Sequence, residues 1–369
     1  MQISNDTKLD FEDILLVPQR SPNASRSDVN LSRKYTFFHS NREWNGVPII
    51  AANMDTTGTI EMANALQRHN MVTCLHKHYD LEHLIQAFKF PLNLQNAWVS
   101  IGMKRGDSKK LFDLCEAICK VPNVCIDIAN GYTERFVEYC ASIRKKLGTY
   151  PIIMAGNVCT PEMTQELILH GGVDIVKIGI GPGSACTTRL MAGVGYPQLS
   201  AIMECSQVAH GLKSAEKRLG LVCGDGGCRQ PCDVNKAFAG GADFVMLGGM
   251  FAGCDECEGE WEYHTERLRT LIDGIQIGPG TRKKALKFYG MSSKTAQDKH
   301  NGGMASYKTS EGRVKYIDYK GPAHEVVQKI KGGLVSCCAY VGATCLKDLS
   351  KCAKAVRVNR THFDRTTDD

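Results

Sequence analysis

Eight short, apolar, β-rich runs recur along this 369-residue chain, and their period constrains the fold more than any single motif does. They begin at Val47, Met71, Trp98, Val124, Pro151, Val173, Gly220 and Asp243. Most lie about 23–27 residues apart, the length of one strand and one helix. The intervening segments have helical spacing. In "TIEMANALQRH" and "PEMTQELILHGG" apolar residues return every three or four positions, and the second ends on glycines suited to a helix C-cap. Strands alternating with helices predict parallel pairing and right-handed crossovers. Eight such units predict a (β/α)8 barrel, with a doubly wound open sheet as the competing α/β architecture. A barrel carries its chemistry just past the C-terminal ends of its strands. Polar and glycine residues gather there, at Asn53-Met54-Asp55, Lys77, Asp127, Asn157, Gly181, Asp225-Gly226-Gly227 and Gly248-Gly249.

Charge and hydropathy narrow the function classes. The 45 basic and 39 acidic residues give a net charge of +6, spread along the chain, and "RKK" occurs only at 144–146 and 282–284. A nucleic-acid binder concentrates its charge more than this, so no nucleic-acid partner is expected. A mild surplus suits a small anionic ligand. No apolar run approaches the ~18 residues that cross a bilayer. The N-terminus has no secretory pattern, and "RTTDD" carries no lipidation or peroxisomal signal. A cytoplasmic protein without a membrane partner is expected. The 17 cysteines are scattered through apolar segments, as reduced core residues are. Cys228-x3-Cys232 and Cys254-x2-Cys257 lack the histidine pair that would complete a zinc site.

The sixth interval is about 47 residues, and its surplus is "KIGIGPGSACTTRLMAGVGYPQ", 177–198. Glycines there let backbone approach a ligand closely. Cys186, with Thr187 and Thr188 beside it, is a candidate nucleophile; the alternative is a cysteine that merely packs. "GIGPGS" lacks the third glycine and the acidic residue of a dinucleotide fingerprint. "CGDGGC" at 223–228 and "MLGGM" at 246–250 end the last two strands, where barrels often hold a phosphate on backbone amides. Asp225 suits a ribose diol, since a carboxylate accepts two hydroxyl hydrogen bonds. Lys77 could hold an anion. His76 and His78 alternate to the other side of the strand and are expected to be packed. The polar tract 288–313, "FYGMSSKTAQDKHNGGMASYKTSEGR", predicts a flap over the barrel mouth. Glu311 is its candidate acid or base, or else a solvated glutamate.

The strings "GIGPGSACTTR", "GVGYPQLSA", "DGGC", "DFVMLGGM", "FYGMSS", "SEG" and "CCAYVGA" closely resemble the GMP reductases, sisters of the IMP dehydrogenases. The resemblance runs from "KLDF" at 8 to "VRV" at 356. It implies a single (β/α)8 TIM barrel domain over 1–369, with an N-terminal capping segment at 1–46, an extended cysteine loop at 182–199, and an insertion and flap at 254–320. It implies NADPH-dependent deamination of GMP to IMP and ammonia. Cys186 would attack carbon 2 of the guanine, Thr188 and Glu311 would handle the protons of the departing ammonia, and Lys77 would lie near the reaction centre and cofactor. The nucleotide contacts implied are Ser184, Asp225, Gly226, Gly227, Gly248, Gly249, Gly290, Met291, Ser292, Lys308, Thr309, Ser310 and Gly312. For NADPH they are Lys77, Asp127, Ile128, Ala129, Ile180, Gly181, Met291, Tyr307, Lys308 and Ser336, Cys337, Cys338 and Ala339. Ser25 and Arg26 would reach a neighbouring subunit's cofactor in a homotetramer. A potassium ion is implied at Gly181, Gly183 and Cys186, with Arg189 beside it.

Two features depart from the resemblance. Lys308 stands where arginine is expected, which keeps the charge but loses the bidentate fork. The segment from Cys254 to Lys287 is longer than expected. The nearest alternative is an IMP dehydrogenase lacking regulatory modules. Only about 20 residues separate strands two and three, where such modules usually sit, and "FYGMSS", "SEG" and "DIANGY" favour the reductase. A non-catalytic purine-nucleotide sensor would not need Cys186, Thr188 and Glu311 together.

Overall fold

The computed structural model describes residues 1, 3–266, 271–272, 275–276, 280–306 and 309–359. Eight parallel strands close into a barrel: β1 (Ile49–Ala51), β2 (Val72–Leu75), β3 (Ala97–Ile101), β4 (Val124–Asp127), β5 (Ile153–Val158), β6 (Ile175–Ile178), β7 (Leu221–Asp225) and β8 (Phe244–Leu247). Each pairs with the next, and β8 returns to β1 with Val245 opposite Ile49. Outside run α1 (Ile60–Gln67), α2 (Leu81–Lys89), α3 (Arg105–Ile118), α4 (Glu134–Leu147), α5 (Pro161–Leu169), α6 (Gln198–Gly211), α7 (Pro231–Ala239) and α8 (Ala323–Val341). Side-chain caps fix several starts. Thr59 Oγ1 accepts from the Met62 amide at 3.0 Å, and Asp80 from the His83 amide at 2.9 Å. No helix among the described residues is long and apolar enough to cross a membrane.

Strand alternation sorts the side chains. Val176 and Ile178 of β6 face the helices, as do Val222 of β7 and Val124 and Ile126 of β4. Ile175, Cys223, Cys125, Cys74, Trp98, Met154, Phe244 and Met246 fill the interior. The bottom is plugged by the antiparallel pair Arg33–Thr36 and Glu43–Gly46, which inserts Tyr35, Phe37 and Trp44. Trp44 packs 5.2 Å from Phe244, and the Tyr35 hydroxyl donates to the Asp243 carbonyl at 2.6 Å. The N-terminal segment does more than cap this end. Its first part runs to the opposite, C-terminal side, where Leu9 and Ser200 exchange hydrogen bonds and Lys236 Nζ donates to the Phe11 carbonyl at 2.9 Å.

The long sixth interval has two causes. The loop after β6 takes most of it, and a small hairpin, Lys213–Ser214 with Lys217–Arg218, supplies the rest. The described residues of the long 254–287 segment contribute two strands of a stem. β9 (Trp261–Glu266) pairs with β10 (Gly280–Tyr289), which pairs with β11 (Val314–Asp318). Lys283 lies 4.4 Å over the Trp261 ring in this stem. Cys254 and Cys257 are buried, and the Cys257 thiol donates to the Phe251 carbonyl at 3.2 Å.

The stem carries the helix Lys294–Asn301, which docks on the barrel through a buried carboxylate just past β1. Asp55 Oδ2 accepts from Tyr289 Oη at 2.7 Å, Lys299 Nζ at 3.0 Å and His300 Nε2 at 2.7 Å. His78, just past β2, stacks on His300 with ring centroids 3.5 Å apart. Burial opposes ionisation of Asp55, but hydrogen bonds from Tyr289, His300 and Lys299 outweigh it and hold the carboxyl below its ordinary range. Burial, then the charges of His300, His76 and Lys77, push His78 down to about 3.

Two outcomes are expected. Trp44→Ala should cost about 3–5 kcal/mol in a denaturant titration, the range for a truncated core aromatic. The flap should loosen in acid. Docked, His78 stays neutral to about pH 3, whereas an undocked His78 takes up a proton near its ordinary 6.5. Docking is therefore full above pH 6.5 and lost as pH falls toward 3; Asp55 has the same sign, at lower pH. Hydrogen exchange of the 294–301 amides, corrected for intrinsic rate, should show protection falling between about pH 7.5 and about pH 5 while barrel strands stay protected.

Candidate active site

The C-terminal mouth of the barrel opens into a cavity of about 670 Å³. Its floor is polar where the barrel interior turns from apolar residues to charge. Lys177 of β6 reaches Asp127 of β4 and Asp225 of β7, each at 2.6 Å. Asn157 Nδ2 donates to Asp225 Oδ2 at 2.9 Å and to the Gly179 carbonyl at 2.7 Å. Burial disfavours the charge on Asp127, but Lys177, Lys77 and a hydrogen bond from Asn53 overcome it and hold the carboxyl below its ordinary range. Burial also disfavours the Lys177 ammonium, yet Asp127 and Asp225 hold it protonated well above the usual lysine range.

One wall is the loop after β6. Asp10 clasps it at its middle and its far end, with Oδ2 accepting from Arg189 Nη1 at 3.1 Å and Oδ1 from the Gln198 amide at 2.5 Å. Gln198 continues inward and donates to the carbonyls of Ile178 at 2.8 Å and Asp225 at 3.2 Å. Arg189 also donates to the Tyr196 carbonyl at 2.5 Å. It lies so close to Gly181 that a Cβ there would fall 2.6 Å from its Cγ, and Gly181 has φ +80°.

Cys186 sits half-buried in this wall. Its Sγ lies 3.2 Å from Thr188 Oγ1, and Thr188 Oγ1 donates to Glu311 Oε2 at 2.8 Å. Backbone contacts fasten the two segments together. Cys186 and Gly312 form an antiparallel bridge, the Thr187 amide donates to the Glu311 carbonyl at 2.9 Å, and the Arg313 amide donates to the Ala185 carbonyl at 2.9 Å. Gly290 is required where the flap crosses, because a Cβ would come within 2.8 Å of the Ala185 carbonyl oxygen. A thiol, a hydroxyl and a carboxylate in line can activate a sulfur nucleophile and move a proton at the reacting centre.

The cavity gathers most of the residues singled out from the sequence. Lys77, Asp127, Ile128, Ala129, Ile180, Gly181, Gly183, Ser184, Cys186, Thr188, Asp225, Gly226, Gly227, Gly248, Gly249, Gly290, Met291 and Ser292 line it. Gly226 and Gly227 turn there at φ +88° and +86°. Glu311 joins through Thr188, and Ser310 and Gly312 lie in the same flap turn, with Ser310 Oγ donating to the Gly312 carbonyl at 3.0 Å. Thr309 precedes that turn; Tyr307 and Lys308 lie outside the described residues. Arg189 stands behind the loop with its guanidinium tied to Asp10, and a cationic side chain cannot itself ligate a cation. Ser25, Arg26 and Ser336–Ala339 are not part of this cavity wall. Arg26 lies 5.9 Å over Tyr340 of α8, and Cys338 is turned into the core.

Two participants escaped the sequence reading as site residues, Lys177 and Gln198; Asn157 stood among the polar strand ends without an assigned role. Lys177 could have been found, because it is the one charge on the inward-facing parity of "IVKI". Gln198 had no local signal.

The comparisons agree with this geometry. The IMP dehydrogenase / GMP reductase domain family matches residues 8–366. The human protein GMP reductase 1 is 48% identical over 362 residues, covering 98% of each chain. The GMP reductases of Photobacterium profundum and Vibrio cholerae are each 49% identical, over 360 and 364 residues, covering 97% of each chain. A parallel barrel with a thiol relay at its mouth, matched over nearly its whole length, belongs to the IMP dehydrogenase / GMP reductase family.

Proposed function

We propose that the chain is an NADPH-dependent GMP reductase that converts GMP to IMP and ammonia. The observation that carries this is the relay from Cys186 Sγ through Thr188 to Glu311, at 3.2 and 2.8 Å, on the wall of a cavity with an Asp225 floor. Asp225 takes the ribose hydroxyls. Ser184 and the glycine turns at Gly226-Gly227, Gly248-Gly249 and Gly290–Ser292 take the phosphate through short side chains and backbone amides. That places the purine against Cys186.

Cys186 adds as the thiolate to carbon 2 of the guanine ring, and the bond to the exocyclic amino group breaks. Thr188 and Glu311 carry the proton that lets ammonia leave. Lys77, Asp127–Ala129, Ile180, Gly181 and Met291 would hold NADPH, which when bound would supply the hydride for carbon 2. The carbon–sulfur bond then breaks, the electron pair returns to Cys186, and IMP is released. Splitting the displacement into two steps through sulfur is the gain.

A potassium ion fits the oxygen-rich loop at the Gly181, Gly183 and Cys186 carbonyls. The Gly183 carbonyl already accepts from the Cys186 amide at 3.0 Å and would offer its other lone pair. The cation would fix the loop so that the thiol faces the purine. Ser25 and Arg26 are assigned to the cofactor site of a neighbouring subunit in a cytoplasmic homotetramer, and the Ser336–Ala339 stretch to cofactor binding.

Nicotinamide absorbance tests the activity. NADPH should be consumed with GMP; reduction of NAD with IMP instead would make the chain a dehydrogenase, and silence in both with tight GMP binding a sensor. Cys186→Ala should abolish turnover while GMP binding measured by calorimetry stays within about threefold. Equal loss of binding would make the cysteine structural. Glu311→Gln should lower kcat by about 10²–10⁴-fold with little change in GMP affinity.

A further inference from the structure

The barrel floor holds a charge whose placement has no packing explanation. Lys177 is 2% exposed, on a barrel interior that is otherwise apolar below it. An ammonium there costs several kcal/mol of desolvation unless it is paired. Both its partners face the cavity. Asp225 is on the neighbouring strand β7, but Asp127 is on β4, two strands away, with β5 between. The crossing is made possible by Gly156, opposite Lys177 in β5, where a Cβ would fall 2.7 Å from the Lys177 Cβ. The groups facing the ammonium are Asp127 and Cys125 from β4, Asp225 and Cys223 from β7, and Cys74 from β2.

We propose that Lys177 is a positioning residue for the nucleotide. Its ammonium, with Asn157, fixes the Asp225 carboxylate in the orientation that accepts the ribose hydroxyls, and it ties that carboxylate to Asp127 on the cofactor side of the same cavity. The proposal rests on the assignment of Asp225 to the ribose. Two geometric facts support it. Lys177 and Asn157 both engage Oδ2 of Asp225, at 2.6 and 2.9 Å, which pins that oxygen of a residue that lines the cavity. Gln198 holds the Asp225 backbone carbonyl at 3.2 Å, so side chain and main chain are both anchored.

The test compares GMP with its analogue lacking both ribose hydroxyls, binding each without cofactor by calorimetry. A site built to accept a hydroxyl rejects the analogue without it. The wild-type protein should bind GMP roughly tenfold or more tightly than the dideoxy analogue, as expected for charge-assisted hydrogen bonds. In Lys177→Met that ratio should shrink to within about threefold, chiefly through loss of GMP affinity. Because Lys177→Met strands two half-buried carboxylates, Lys177→Met/Asp127→Asn is measured beside it. This pair keeps the net charge of the trio at the wild-type value and should fold while showing the same compressed ratio. A merely structural lysine would weaken both ligands equally. An undiminished ratio in the folded double variant overturns the role of Lys177. A wild-type protein that does not discriminate overturns the ribose assignment of Asp225 and this inference with it.

Discussion

A closed parallel barrel has no free strand edge, and its strands all end at one mouth. Everything functional in this chain follows from that closure. Inward-pointing residues cannot reach solvent sideways, so the interior must be apolar or internally paired. It is apolar from Trp44 at the bottom up through Trp98, Cys125 and Cys223, and then it becomes ionic at Lys177, Asp127 and Asp225. The change occurs where the strands stop. The barrel therefore offers a rigid charged floor, on which small shifts of a carboxylate are resisted by β4, β6 and β7 together.

Much of this was legible in the sequence, for physical reasons. Strand runs buried between a core and a helix layer are apolar throughout, so "VCID" and "FVML" stand out, and their period reports the barrel. Catalytic groups at strand ends stand out as polar residues after those runs. Cys186, Thr188 and Glu311 became a relay only through resemblance and geometry, since 123 positions separate Thr188 from Glu311. The hairpin at 213–218 hid inside a long interval, because its two-residue strands bury nothing. The dual role of the N-terminal segment was equally invisible. Asp10 has no local signal that it will clasp Gln198 and Arg189, about 180 positions away. His78 was read as packed, and it is, but its stacking partner His300 arrives from the flap.

The two walls of the mouth are fastened differently from the floor. The cysteine loop is held by Asp10, and the flap helix by Asp55. Each clasp is one carboxylate serving several donors, which makes it strong when formed and all-or-none when lost. Asp55 lies just past β1, at the rim, so the flap closes on the rigid frame and not on another loop.

The proton relay crosses between these walls. Cys186 and Thr188 belong to the loop after β6, whereas Glu311 belongs to the flap. The bridge between Cys186 and Gly312 and the Arg313–Ala185 hydrogen bond bring the carboxylate to the hydroxyl. These contacts are separate from the Asp55 clasp that docks the flap helix. Without them the thiol would keep its threonine and lose the carboxylate. On the proposed chemistry they complete the proton path for the departing ammonia, so the backbone that joins the two walls also sets the geometry of the relay.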